Sequence, residues 1–225
     1  MTACLASVRS LEEAGIVAAA GVPWIDLKEP AAGALGAVPE AVLHEVAAVW
    51  RGRRILSATI GDCWNLPHEI PGRVQAVVDA GLDYAKVGIF AQRPSVALLD
   101  ALHGACAAGA RTIAVCFAES PPDAQDIATL AGCGLAGLML DTAYKQGPAL
   151  CELLPTSALQ AFVYEVKARN LLCGLAGRLA LADVPALLPL GADYLGFRSA
   201  LCAARGREAA IDSVAAAQVV AMFRA

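Results

Sequence analysis

Short apolar runs alternate with longer segments of helical periodicity along the whole chain. The apolar runs predict eight strands, at Ala3–Val8, Trp24–Lys28, Ile55–Ile60, Tyr84–Ile89, Thr112–Ala118, Gly137–Thr142, Leu171–Gly177 and Tyr194–Ser199. Between them, apolar residues recur at helical spacing over Leu11–Ala20, Pro39–Arg51, Pro71–Ala80, Ser95–Ala108 and Ala124–Ala131. Glycine follows several helical segments, as in Ala19-Ala20-Gly21, and indicates a helix end that turns into the next strand.

This order of elements predicts the fold class. Nearly continuous apolar strands joined by helices are typical of a parallel sheet covered by helices. Eight such units in 225 residues predict an α/β protein with a single (β/α)8 barrel over residues 1–225. A doubly wound open sheet is the alternative, but the Gly-x-Gly-x-x-Gly fingerprint that favours it is missing after the first strand.

Composition limits where the protein works and what it binds. Hydrophobic residues make up 58% of the chain, yet charged residues interrupt every long apolar stretch, so we expect no membrane span. The apolar excess predicts a deep core and a homo-oligomer, because monomers rarely expose large apolar patches. The first residues lack the features of a signal peptide, so we expect a cytoplasmic protein. A net charge of −4 and few aromatic residues argue against nucleic-acid binding.

Metal and cofactor sites are not predicted. The eight cysteines form no Cys-x-x-Cys pair, and the three histidines lack the spacing of metal ligands. Several cysteines lie in apolar runs, where a reduced thiol packs as a small hydrophobe. We therefore expect neither a metal ion nor a cofactor.

Charged residues at strand ends are the candidates for chemistry, because barrel active sites form at the carboxyl ends of the strands. Strand alternation places Asp26 and Lys28 on the inner face of the second strand and Lys86 on that of the fourth. Asp141 ends the sixth strand, and Lys145 follows it in the loop. A lysine can also protect a sheet edge or form a structural pair with aspartate, but a closed barrel has no edge and burying charge is costly.

Several lysines in one pocket point to carbonyl chemistry. A lysine that is partly desolvated and crowded by other cations has a lowered pKa, and its free amine attacks carbonyls. The resulting iminium acidifies the neighbouring C–H, and a second lysine or a carboxylate can move the proton. Aldol addition, isomerisation and β-elimination all become accessible.

The last two strands predict a phosphate site. The segments Gly174-Leu175-Ala176-Gly177-Arg178 and Gly196-Phe197-Arg198-Ser199 place small residues, a hydroxyl and guanidinium groups at the mouths of neighbouring strands. Barrels commonly bind phosphate there through backbone N–H groups. From these segments we predict Gly174, Gly177, Gly196, Arg198 and Ser199 as phosphate ligands; two ordinary tight turns are the alternative.

Four motifs together resemble the (5-formylfuran-3-yl)methyl phosphate synthase family over nearly the whole chain. They are Asp26-Leu27-Lys28-Glu29-Pro30 with Gly33-Ala34-Leu35-Gly36, Tyr84-Ala85-Lys86-Val87-Gly88, Asp141-Thr142-Ala143-Tyr144-Lys145-Gln146-Gly147 and Gly174-Leu175-Ala176-Gly177. The Asp-x-Lys-x-Pro and Asp-Thr-Ala-x-Lys elements are fairly specific, whereas the glycine motifs are generic.

The resemblance implies a barrel lyase that condenses two glyceraldehyde 3-phosphate molecules. The product would be 4-(hydroxymethyl)-2-furancarboxaldehyde phosphate, an early intermediate of methanofuran biosynthesis, formed with loss of phosphate and water. The resemblance also implies that Lys28 forms the Schiff base and Lys86 is the acid–base lysine, while Asp26, Asp141 and Lys145 match the other charged site positions. Two alternatives remain, another class I aldolase acting on a small phosphorylated aldehyde and a non-catalytic barrel that binds a phosphometabolite.

Overall fold

The computed structural model describes residues 1–63, 65–90, 93–144, 146–203, 206 and 208–224. Eight parallel strands follow one another around a closed barrel in chain order, and the eighth pairs with the first. They are β1 Ala3–Val8, β2 Trp24–Leu27, β3 Ile55–Thr59, β4 Tyr84–Ile89, β5 Thr112–Phe117, β6 Gly137–Asp141, β7 Leu172–Leu175 and β8 Tyr194–Phe197. The predicted (β/α)8 barrel is confirmed, and an open sheet is excluded.

Helices cover the outside of the barrel. They are α1 Leu11–Ala20, α2 Glu40–Trp50, α3 Ile70–Asp79, α4 Val96–Ala107, α5 Ala124–Ala131, α6 Leu150–Leu153, α7 Thr156–Lys167, α8 Val184–Leu187 and α9 Ser213–Ala221. Short 3-10 turns lie at Pro30–Ala32, Pro67–Glu69, Leu181–Asp183, Leu188–Leu190 and Ser199–Leu201. Within the described residues, none of the helices has the length and apolar character needed to cross a membrane.

Local sequence signals set the ends of the helices. The Ser10 hydroxyl accepts a hydrogen bond from the Glu13 N–H and so caps α1. Gly21 ends the same helix with φ +95°, a left-handed conformation that glycine adopts without a Cβ clash. Asp123 and Asp126 form a reciprocal capping box at the start of α5. These caps explain why α1 and α5 have the bounds predicted from the sequence.

Strand alternation divides the core into two layers. Ile25 and Leu27 point outward from β2 and are fully buried against the helices. Each such aliphatic side chain contributes about 1.5–3 kcal/mol relative to exposure. Trp24 and Asp26 point into the barrel. The predicted inward direction of Asp26 is therefore confirmed, and the barrel interior carries charge near the carboxyl ends of the strands.

The cysteines pack as hydrophobes. All eight are free thiols, and most of them are buried. Burial raises the pKa of Cys4 to about 12 and that of Cys116 to about 12, so both thiols stay protonated at neutral pH. The structural role predicted for these residues fits this environment.

Candidate active site

A cleft opens at the carboxyl ends of the strands, where the active sites of barrel enzymes form. The residues on its lining that the sequence predicted for the site are Asp26, Lys28, Lys86, Asp141, Gly177, Gly196, Arg198 and Ser199. The structure therefore brings the charged residues of β2, β4 and β6 together with the glycine segments of β7 and β8. Lys145 lies outside the described residues.

The deepest charged pair joins Lys86 and Asp26. The Lys86 Nζ lies 2.9 Å from Asp26 Oδ1, and the two side chains are only 2% and 3% exposed. Burial lowers the pKa of Lys86; nearby Lys28 also lowers it, while Asp26 acts in the opposite direction. The alternative of a structural pair between Asp26 and Lys28 is not observed, because Asp26 pairs across the barrel.

Two serine hydroxyls hold the carboxylate of Asp26. Ser57 Oγ donates to Oδ1 at 2.5 Å, and Ser7 Oγ donates to Oδ2 at 3.1 Å. The indole N–H of Trp24 in turn donates to Ser57 Oγ at 2.9 Å. Sequence reasoning missed these three residues. The available signal was a polar residue on the inner face of an otherwise apolar strand, as at Ser7 and Ser57.

Lys28 lies nearer the mouth of the cleft with a different carboxylate. Its Nζ is 3.3 Å from Asp141 Oδ2, and the two side chains are 12% and 14% exposed. The Lys28 backbone N–H donates to the Val8 carbonyl, which fixes the residue just beyond the end of β2. Asp141 Oδ1 accepts the Thr142 N–H at 2.7 Å, so both ends of the pair are held. Lys28 is thus accessible to a ligand, whereas Lys86 is enclosed.

The loop after β2 folds back over the barrel and explains the glycine motif that follows Lys28. Leu35 is buried on the cleft lining, and its N–H donates to Asp62 Oδ1 at 3.2 Å. The Gly36 carbonyl accepts from Thr59 Oγ1 at 2.8 Å and from the Glu29 N–H. A Cβ on Gly36 would lie 2.3 Å from the Glu29 carbonyl oxygen, so this approach requires glycine.

Glu119 is a further residue that the sequence did not reveal. It follows β5, and its carboxylate accepts the N–H groups of Ala143 and Tyr144 at 2.9–3.2 Å. These bonds fix the start of the loop after β6, immediately before Lys145. A glutamate that lies 24 and 25 positions from the two N–H groups it binds leaves no local pattern in the sequence.

Aromatic rings form the floor below Lys86. The Lys86 Nζ lies 5.5 Å from the ring centroid of Tyr194, and Trp24 packs on that ring with a centroid distance of 4.4 Å. A Cβ on Gly174 would lie 2.2 Å from Tyr194 Cζ. The structure thus places Gly174 against the floor, below the cleft lining, and packing accounts for this glycine. Gly174 was predicted as a phosphate ligand, but it does not line the cleft.

The remaining predicted phosphate residues lie on the cleft. Gly177 has φ +112°, and a Cβ there would lie 2.7 Å from Thr142 Cγ2. Arg198 forms a two-pronged ion pair with the buried Glu13 carboxylate at 2.5 and 3.2 Å. Its guanidinium also donates to the carbonyls of Ser7 and Ala209. Arg198 was predicted to grip phosphate, but these four contacts already fix its guanidinium between β8 and α1.

Clusters of three or more His, Cys, Asp or Glu side chains that could hold a metal ion do not occur among the described residues. The chemistry that the described site offers is that of amines and carboxylates. An accessible lysine near one carboxylate and an enclosed lysine on another can act on a carbonyl compound and transfer its protons.

Comparison with known proteins agrees with this geometry. The sequence model described as 4-HFC-P synthase matches residues 4–220. A Methylorubrum extorquens protein is 38% identical over 221 residues, covering 98% of this chain and 91% of that protein. The (5-formylfuran-3-yl)methyl phosphate synthase of Methanopyrus kandleri is 32% identical and covers 81% of each chain. In fold, the chain resembles phosphoribosyl anthranilate isomerase of Thermus thermophilus, with a TM-score of 0.69, 15% identity, and coverage of 100% of this chain and 98% of that one.

Proposed function

Because the chain belongs to the 4-HFC-P synthase family, we propose that it condenses two glyceraldehyde 3-phosphate molecules into 4-(hydroxymethyl)-2-furancarboxaldehyde phosphate. The two trioses supply all six carbons of the product. One phosphate and, in the net balance, two waters leave, and the reaction needs no oxidant or reductant. The enzyme is then a lyase, and its product enters methanofuran biosynthesis.

Lys28 is the proposed nucleophile, and its accessible position beside Asp141 carries the assignment. Asp141 accepts a proton from the ammonium, and the free amine attacks the aldehyde carbon of one triose phosphate. The carbonyl oxygen leaves as water, and a C=N bond forms on Nζ. The iminium withdraws electrons and makes the adjacent C–H acidic. Hydrolysis of the C=N bond at the end of the sequence restores the amine and an aldehyde.

Lys86 is the proposed proton carrier, with Asp26 as its partner. Its lowered pKa supplies a free amine nearer neutral pH, which can remove the acidic proton. Removal of this proton from C2 expels the C3 phosphate of the bound triose and leaves an enol whose C3 is nucleophilic. That carbon attacks C2 of the second triose in its ketose form, and the C–C bond forms. Loss of two waters then closes the furan ring, and the carbon held on Nζ becomes the formyl group. We assign orientation of the second triose or of the leaving phosphate to Asp141 and Lys145, the latter by resemblance alone.

The retained phosphate binds at the mouths of β7 and β8 in this proposal. Gly177, Gly196 and Ser199 all lie on the cleft lining there, and glycine allows an anion to approach the backbone closely. Arg198 adds positive charge from behind while it stays paired with Glu13. The triose phosphate is the small-molecule partner, and the reaction as proposed uses no cofactor.

Borohydride trapping tests the nucleophile. The enzyme is incubated with glyceraldehyde 3-phosphate and reduced, and the digested peptides are mapped by mass. We expect one added triose on the peptide that contains Lys28. The mark should vanish in Lys28→Arg and persist in Lys167→Arg, because Lys167 pairs with Asp193 away from the cleft. A mark on another residue would overturn the assignment of Lys28.

Product analysis tests the reaction. Incubation with glyceraldehyde 3-phosphate alone should release phosphate and produce the near-ultraviolet absorbance of a furan aldehyde. A phosphorylated aldol without that absorbance would instead identify another class I aldolase. Tight binding of triose phosphate without turnover would identify a non-catalytic barrel.

A further inference from the structure

A directed chain of hydrogen bonds leads from Trp24 through Ser57 to the carboxylate of Asp26. An indole nitrogen can only donate, so Ser57 Oγ must accept the Trp24 N–H that lies 2.9 Å away. A serine hydroxyl has a single hydrogen, which then remains for Asp26 Oδ1 at 2.5 Å. Trp24 therefore fixes the direction in which Ser57 donates.

The same carboxylate receives hydrogen bonds on both oxygens. Ser7 Oγ donates to Oδ2 at 3.1 Å, and Lys86 Nζ lies 2.9 Å from Oδ1. Hydrogen bonds donated to a carboxylate favour its ionised form. A proton on Oδ1, the oxygen that faces Lys86, would point at a hydroxyl that Trp24 already holds as a donor, so Oδ1 stays an acceptor.

We propose that Trp24 and Ser57 are positioning residues which hold Asp26 Oδ1 as an acceptor toward Lys86 throughout the reaction, so that Lys86 alone carries the moving proton in the depth of the cleft. Asp26 then serves as a fixed counter-ion. This inference rests on the proposed function, because it assigns the proton of that reaction to one member of the pair. It also predicts different roles for the two serines, because Trp24 directs the hydroxyl hydrogen of Ser57 but not that of Ser7.

Other titratable groups surround the pair and belong in any account of its pH dependence. Besides Asp26, the groups that act on Lys86 are Lys28 at the end of β2 and Asp141 on β6. The groups that act on Tyr194 on β8 are Asp26, Asp141, Cys173 on β7 and Asp193. Tyr194 is fully buried, and burial raises its pKa well above its ordinary value, so it stays neutral. Below about pH 10, Lys86 is thus the proton-exchanging group in contact with Asp26 among the described residues.

Carbon-13 labelling of the aspartate carboxyl groups tests the inference without substrate. The signal of Asp26 is assigned by its loss in Asp26→Asn, and its shift is followed from about pH 5 to about pH 9. We expect no titration of this signal in the wild-type protein. In Ser57→Ala the signal should begin to titrate within this range, because the loss of one hydrogen bond to a charged group is equivalent to about one to two pH units.

Three further variants separate a directed bond from a general loss of packing. Trp24→Phe should move the midpoint in the same direction as Ser57→Ala, and Ser7→Ala should move it less. Trp50→Phe is the matched control, because the Trp50 indole nitrogen donates to no described group, and it should change nothing. If Trp24→Phe does not fold, the comparison of Ser57→Ala with Ser7→Ala decides the question.

The outcomes are distinct from those that test the reaction itself. A wild-type Asp26 signal that titrates between about pH 6 and about pH 8 would overturn the inference, as would equal effects of the two serine variants. An enzyme without synthase activity would overturn the proposed function, while the carboxyl titration would still decide the state of Asp26. If the enzyme is active, the acid limb of its kcat–pH profile should move to higher pH in Ser57→Ala and should not move in Trp50→Phe.

Discussion

Breaking the Lys86–Asp26 pair from either side should destabilise the protein with opposite dependence on pH. In Asp26→Asn, the buried amine loses its carboxylate, and burial favours its neutral form. In Lys86→Met, the carboxylate stays buried with hydroxyl partners but without a cation, and only protonation relieves it. The two variants remove different charges from a pair that is 2.9 Å apart and almost fully enclosed.

The expected magnitude follows from burial. Removing one partner of a buried ion pair costs about 3–5 kcal/mol, because the remaining charge is uncompensated. For a chain of this length, each kcal/mol lowers Tm by about 2–4 °C, so each single variant should melt on the order of 10 °C below the wild type. Salt screens such enclosed charges poorly, and added salt should leave the difference unchanged.

The signs of the two pH slopes follow from proton linkage. The pKa of Lys86 is lowered in the folded protein, and removal of Asp26 lowers it further, so the unfolded chain binds more protons. The stability of Asp26→Asn therefore rises as pH increases from the folded pKa toward that of a free lysine. The stability of Lys86→Met therefore falls as pH rises. The Asp26 carboxyl group loses its proton readily in the unfolded chain, whereas burial without a cation opposes that loss in the folded protein.

Urea denaturation followed by circular dichroism at several pH values measures both slopes. The double variant Asp26→Asn/Lys86→Met removes both charges and should be more stable than either single variant, with little dependence on pH. Losses below about 1 kcal/mol in both single variants, or slopes of the same sign, would refute the assignment of a buried ion pair.

Four further outcomes are expected. Gly174→Ala should cost about 1–3 kcal/mol in urea denaturation, because its Cβ would lie 2.2 Å from Tyr194 Cζ; unchanged stability would contradict this packing. Glu13→Gln should lower stability by about 3 kcal/mol, since Arg198 loses its two-pronged partner, and a thermal shift of zero would argue against that pair. The rate constant kcat/KM should rise with pH through the lowered pKa of Lys86, with a midpoint below 10.5, because the free amine is the active form. A kcat/KM–pH profile with its midpoint at the pKa of an exposed lysine would exclude Lys86 as the base. Light scattering should give a mass above that of one chain, as the 58% hydrophobic composition predicts; the mass of one chain would exclude the predicted homo-oligomer.

Strand alternation made the barrel and its charged interior predictable. The period of two in β2 places Asp26 inward and Ile25 outward, and this pattern needs no knowledge of distant residues. The same rule places Lys86 inside β4. Because parallel strands in a barrel end at one rim, these residues could be assigned to one cleft before their distances were known.

Pairing across the barrel could not be predicted in the same way. Asp26 is two positions from Lys28 in the sequence, yet it pairs with Lys86, and Lys28 pairs with Asp141 on the far side. Which lysine pairs with which aspartate depends on the stagger of the strands around the closed barrel, and no local sequence pattern indicates that stagger. The contacts of Gly174 and Glu119 depend on the same long-range geometry, so the sequence did not reveal that Gly174 makes room for Tyr194.

The different depths of the two lysines explain how one pocket can hold both a nucleophile and a proton carrier. Lys28 is accessible at the mouth, where a carbonyl compound can reach its amine. Lys86 is enclosed below it, where burial favours the free amine and Tyr194 closes the floor. A substrate held on Lys28 would present its acidified carbon toward the interior, so the proton has a short path to Lys86. Exchanging the depths would leave the nucleophile out of reach and the base in solvent, and the division of roles therefore follows from the strand on which each lysine lies.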